Sequence, residues 1–232
     1  QHRGPSTPTP SRDPVNLSEK LVHVRRATRL LAAYNRRLLA ILTQVNATLA
    51  EQPKLRVKHL RWDPLHHKAI GNQTSDPFGR WGWDFAPLSW FLMRWTTDGA
   101  KAPTGGRSIY VGVQHYVDSG YRASGGQPDP RDFAPAEETR TELWLWIAAV
   151  KGPSKDSWDS MNALIEATFE QTSEEWDQAW HSVDSAKLDA TPPGTELHYA
   201  GWQVDVGELA TEDDVEDKIL TPLRTLLSAL TK

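Results

Sequence analysis

Three groups of residues have types and spacings that could do chemistry. The first is HLRWDPLHH, where His59, His66 and His67 lie close to Asp63. Imidazoles and a carboxylate are ligands for zinc and other transition metals. The spacing matches no metal-binding pattern, and adjacent loop histidines usually point apart, so no metal site and no cofactor is assigned. The second group is Asp63, Asp84, His115, Asp118 and Glu142. These could serve a metal-dependent hydrolase if folding brought several of them together. His115 lies mid-strand beside Tyr116, where a general base or a satisfied structural histidine would fit. The third group is aromatic. Trp81 and Trp83 alternate with Gly82 and Asp84, and Trp144 and Trp146 alternate in the same way further on. Aromatic rows beside arginines can stack on single-stranded nucleic acid. Packed under helices, the same rows are core. Core is favoured for most of them, including LSWFLMRW (88–95), with Trp81 and Trp83 at the rim.

A basic stripe adds a fourth feature. Arg25, Arg29 and Arg36 fall on one side of a helix by the i, i+4, i+7 rule, with Arg26 and Arg37 nearby. The helix that positions them is strongly signalled. Asn16 and Glu19 form a capping box, with Pro14 just upstream. Apolar residues recur at 17, 21, 24, 31, 38, 42, 45 and 49, with Thr28 and Asn35 in the two missing seats. Pro53 should stop the helix near Gln52. At about 1.5 Å per residue it would be roughly 50 Å long. Leu30, Tyr34 and Ile41 widen the apolar stripe. The 4,3 spacing also suits a homodimer through this helix.

Charge is unevenly spread. Residues 1–70 hold 13 Lys/Arg against 4 Asp/Glu, whereas residues 71–232 hold 13 against 26. Either the two halves pair within the fold, which is favoured, or the basic half meets a polyanion. The chain has no cysteine, which excludes disulfides and thiolate chemistry. No apolar run approaches the ~18 residues of a membrane span, so a soluble, cytoplasmic, bacterial-like protein is expected. Residues 1–14 read as a disordered, Pro/Ser/Thr-rich lead, and 15–232 as a single α+β domain. Asn46-Ala-Thr48 and Asn72-Gln-Thr74 match the glycosylation pattern, relevant only to a secreted eukaryotic protein.

The remaining elements follow from periodicity. Strands are expected at KLRVKHLRW (54–62), around Trp81–Phe85, and over 88–95, 108–117, 142–150 and 196–206. Trp158, Met161, Leu164, Ile165 and Phe169 space as one helix, and Trp176, Ala179, Trp180 and Val183 as another. The last helix is capped by Thr211 with Asp214, and Pro222 should kink or divide it. The fold class is therefore α+β, with a mainly antiparallel, Trp-rich sheet packed against a long N-terminal helix and C-terminal helices. The element order is similar to that of the PD-(D/E)XK nucleases. Their E-x-K motif is absent, because Trp144 follows Glu142 at the lysine position and Lys151 lies past the strand end.

The chain reads as a non-catalytic interaction protein rather than an enzyme. It would act on an acidic protein or nucleic acid, and not on a membrane. Arg25, Arg29 and Arg36 on the helix are the expected binding residues, with Arg61, Trp81 and Trp83 in the basic and aromatic region 54–84. A metal-dependent hydrolase is the rival reading, and it requires its carboxylates and His115 to converge.

Overall fold

The computed structural model describes residues 17–52, 54–64, 90–97, 107–120, 130–151, 178–183 and 196–230. Helix α1 (Leu17–Ala50) leads into β1 (Val57–Pro64), β2 (Trp90–Thr97), β3 (Arg107–Tyr116), β4 (Glu142–Lys151), β5 (His181–Val183) and β6 (Glu196–Asp205). The C-terminal helical run comprises α2 (Glu212–Val215), a wide π-helical turn (Glu216–Leu220) and α3 (Thr221–Ala229). The strands form one antiparallel sheet in the order β1-β2-β3-β4-β6-β5. This is the expected α+β arrangement.

Side-chain alternation divides the sheet into two faces. One face carries Phe91, Met93 and Trp95 of β2, Val111 and Val113 of β3, and Leu143, Leu145 and Ile147 of β4. The second half of α1, through Leu38, Ile41, Leu42, Val45 and Leu49, packs on it together with Val215, Ile219, Leu223 and Leu227 of the C-terminal run. The other face gathers Leu92, Trp146, Ala148, Val150 and Leu197, with Trp90 and Tyr110 against them. Strand β4 is buried on both faces, which explains its near-continuous apolar sequence. Gly112 of β3 lies directly opposite Trp146 of β4. A Cβ at that position would sit inside the Trp146 indole ring, so only glycine fits.

The termini of the helices obey local chemistry. Thr211 caps α2 by accepting from the Asp214 amide at 3.1 Å, and the Asp214 carboxylate accepts from the Thr211 amide at 2.8 Å. That is the capping box read from the sequence. Pro222 does not break the run. It lacks the N–H that would bind the Lys218 carbonyl four residues back. The Trp202 indole N–H of β6 donates to that carbonyl instead, at 3.0 Å. The widened turn just before Pro222 and this bond from the sheet together let the helix continue.

One expected element is different. Ala179, Trp180 and Val183 do not share a helix, because His181–Val183 pair with β6 as a short edge strand, whereas Trp176 lies outside the described residues. Gln178 has a φ of 63°, a left-handed conformation that a helix cannot propagate through. The apolar spacing there matches a helix only because Trp180 turns in against the core just before the strand begins. The Asn46 glycosylation pattern also has a structural explanation. Asn46 Oδ1 accepts from the Trp95 indole N–H at 2.8 Å, and Thr48 is buried. The 1–14 lead, the Trp81–Phe85 strand, the 158–169 helix and the Asn72 pattern lie outside the described residues.

Candidate interaction surface

The amphipathic sequence of α1 makes a single 34-residue helix, yet its two halves have different surroundings; the expected Asn16–Glu19 capping box lies outside the described side chains. From Tyr34 onward the stripe is covered by the sheet and the C-terminal run. Before that point it is not. Among the side chains described from Ser18 to Leu31, all are exposed except the half-buried Val22. Leu21, Val24, Leu30 and Leu31 are 44%, 58%, 72% and 47% exposed. Singly exposed apolar residues are ordinary, but Leu21, Val24 and Leu31 share one face of the free helical segment by their 3,7 spacing and form a patch of the kind that marks an interaction site.

Arginines surround that patch. Arg25, Arg29 and Arg36 are all exposed, as the stripe predicted, and Arg26 is exposed beside them. Arg37 behaves differently. Its guanidinium pairs with Glu212 at 2.6 Å and donates to the carbonyls of Leu209 at 3.2 Å and Thr211 at 3.0 Å. The Arg37 bond, and then one from Gln44, hold the Glu212 carboxyl below the usual carboxylate range. One basic residue of α1 thus joins the acidic start of α2, while its neighbours stay at the surface. Part of the charge asymmetry pairs within the fold. On α1, Lys20, Arg25, Arg26, Arg29 and Arg36 face outward.

The junction between the two halves is a polar contact inside the core. The Tyr34 hydroxyl shares a hydrogen bond with His115 Nε2. His115 is fully buried, and Phe91 stacks on its ring at 5.0 Å. Burial pushes the imidazole down to about 3 and raises the Tyr34 phenol above its usual range. His115 is therefore neutral at ordinary pH. Among the described residues its ring meets Tyr34 and Phe91 where α1 joins the sheet.

The rival catalytic set does not assemble among the described residues. Strand register puts His115 opposite Leu143, on the face that α1 covers. Glu142 is one residue along, on the opposite face, where its Oε2 accepts from the Trp144 indole N–H at 2.9 Å. Asp118 lies beyond the end of β3, and its Oδ1 accepts from the Gly120 amide at 2.8 Å. The side chain of Asp63 and all of Asp84, His66 and His67 lie outside the described residues. Among the described residues no group of three or more His, Asp or Glu side chains is placed to hold a metal ion.

Of the expected binding residues, the structure brings Arg25, Arg29 and Arg36 onto one exposed helical face. Arg61 lies on β1 in register with Arg94 of β2, but its side chain is outside the described set. Trp81 and Trp83 are outside it as well. Trp144 and Trp146 are buried on one sheet face, as core rather than platform. Sequence reasoning missed the exposed leucines of α1. The 4,3 spacing is equally regular in both halves, and nothing local says which half finds a partner within the chain.

The chain belongs to the PM0109 family, whose model matches residues 15–229. No curated protein and no solved structure matches it. Among the described residues no helix is long and apolar enough to cross a membrane.

Proposed function

We propose that this chain is a non-catalytic interaction protein that binds an acidic protein through the free first half of α1. One observation carries the reading. Leu21, Val24, Leu30 and Leu31 are exposed on the same segment as Arg25, Arg26 and Arg29, ahead of the point where α1 docks on the sheet. Fully burying an exposed leucine or valine contributes about 1.5–3 kcal/mol, so a few of them suffice for a specific contact. The arginines add attraction and steering toward a negatively charged surface.

An acidic protein suits this surface better than nucleic acid does. Phosphate contacts would use the arginines and leave the leucines without a counterpart. The separation of His115 and Glu142 onto opposite sheet faces supports a binding role over the hydrolase reading. In this reading the protein works in the cytoplasm. Arg61, Trp81 and Trp83 carry no weight in it.

Photo-cross-linking from a benzophenone side chain at position 24, in cells that make the protein, tests the reading. The expected product is a discrete protein adduct that resists nuclease. A nuclease-sensitive adduct, or none, contradicts it.

A further inference from the structure

Resting on that reading of α1, we propose that the partner presents one acidic amphipathic helix, which pairs with residues 17–31 as a short two-stranded coiled coil. The 4,3 spacing places 21, 28, 35, 42 and 49 at one core position of a heptad, and 17, 24, 31, 38 and 45 at the other. From Asn35 onward these positions are buried within the chain itself. At Leu21, Val24 and Leu31 the same seam continues uncovered. Thr28 shares the seam, and its hydroxyl donates to the Val24 carbonyl at 2.9 Å. That bond satisfies the hydroxyl within the helix and leaves the methyl group for packing. From Leu21 to Leu31 the free seam is about 16 Å long, matching roughly three turns of a partner helix.

Charge selects the occupant. Lys20 and Arg25 hold the two positions that flank the seam, and both are exposed. In a parallel pair of copies, each Lys20 would meet Arg25 of the other copy, because flanking residues five apart face each other across a coiled coil. In either orientation, a second copy would set like charge beside like charge, because Lys20 and Arg25 are the charged residues at the flanking positions of 17–31. A helix with leucines along its seam and Glu or Asp beside them removes the repulsion and supplies the apolar cover. Its docking would also stabilise the free turns of α1, since a helical segment this short is marginal by itself.

The test uses the full chain and a synthetic three-heptad peptide with Leu at both core positions and Glu at both flanking positions. Fluorescence anisotropy should show this peptide binding about tenfold or more tightly than a version with Lys at the flanking positions. Lys20→Glu with Arg25→Glu should reverse that preference. Val24→Glu with Leu31→Glu should abolish binding of both peptides while leaving the melting temperature unchanged, because both sites are exposed. The proposal is overturned if the acidic peptide does not bind, or if the two peptides bind alike. It is equally overturned if sedimentation shows a dimer of the chain that Val24→Glu with Leu31→Glu dissociates. In each of those cases, a nuclease-resistant protein adduct from position 24 would preserve the docking role of α1 and remove only the acidic-helix assignment. Loss of both results would remove both.

Discussion

The Tyr34 hydroxyl and His115 Nε2 share a hydrogen bond at the point where α1 meets the sheet. Toward the C-terminus from that contact, α1 is core. Toward the N-terminus it stands clear with its leucines exposed. The pair lies 81 residues apart in sequence, so it fixes the helix to β3 across the whole fold.

The same pair makes stability depend on pH. Burial depresses His115 from 6.5 to about 3 in the folded chain. Between those values the unfolded chain takes up a proton that the folded chain does not. Stability is therefore complete above about pH 6.5 and falls as pH drops toward 3, by up to about 1.4 kcal/mol per pH unit from this group. Urea denaturation between pH 7 and 5 should show that decline, and His115→Gln should flatten it. Equal slopes in the two proteins would mean that His115 is not buried as a neutral ring.

Position along α1 should decide the cost of a charge in its seam. Leu42 is 0% exposed and Leu21 is 44% exposed. Leu42→Asp should cost several kcal/mol, roughly 3–5, because it buries an unpaired carboxylate. Leu21→Asp should change stability by about 0.5 kcal/mol or less. Thermal melts of the two variants compare the halves of one helix directly. Similar losses at both positions would show that the first half is covered too.

Much of this architecture was legible in the sequence, because it follows local rules. The 4,3 spacing marked α1, and Thr211 with Asp214 marked the start of α2. Strands β2, β3, β4 and β6 lie within about two residues of their alternating or continuous apolar runs. What failed was tertiary. A three-residue edge strand at His181–Val183 has no periodicity of its own, and the helical spacing around Trp180 outweighed it. The candidate surface was half legible. Arg25, Arg29 and Arg36 were visible as a stripe, but the exposure of Leu21 and Val24 depends on where the sheet ends beneath the helix. The Tyr34–His115 contact leaves no local signal at all.

The bond from the Trp202 indole to the Lys218 carbonyl substitutes for the N–H that Pro222 lacks. Trp202→Phe should cost about 1–3 kcal/mol, since it leaves a carbonyl of the helix unsatisfied. In a Pro222→Ala background the restored backbone N–H can take over, so the same change should cost less. A double-mutant cycle in urea measures the difference. Additive losses would mean that the two residues do not serve the same carbonyl.

Gly112 lies under the Trp146 ring, and a methyl group there has no room. Gly112→Ala should destabilise the sheet by roughly 1–3 kcal/mol through overpacking, with a change in tryptophan emission as Trp146 shifts. Unchanged stability and emission would contradict the placement of that ring.

Hydrogen–deuterium exchange along α1 in the purified chain tests the central claim most directly. If residues 17–31 form a free docking strip, their amides should exchange much faster than those of residues 35–50, which the sheet holds. Slow exchange along the whole helix would contradict the account, because the strip would then already be covered.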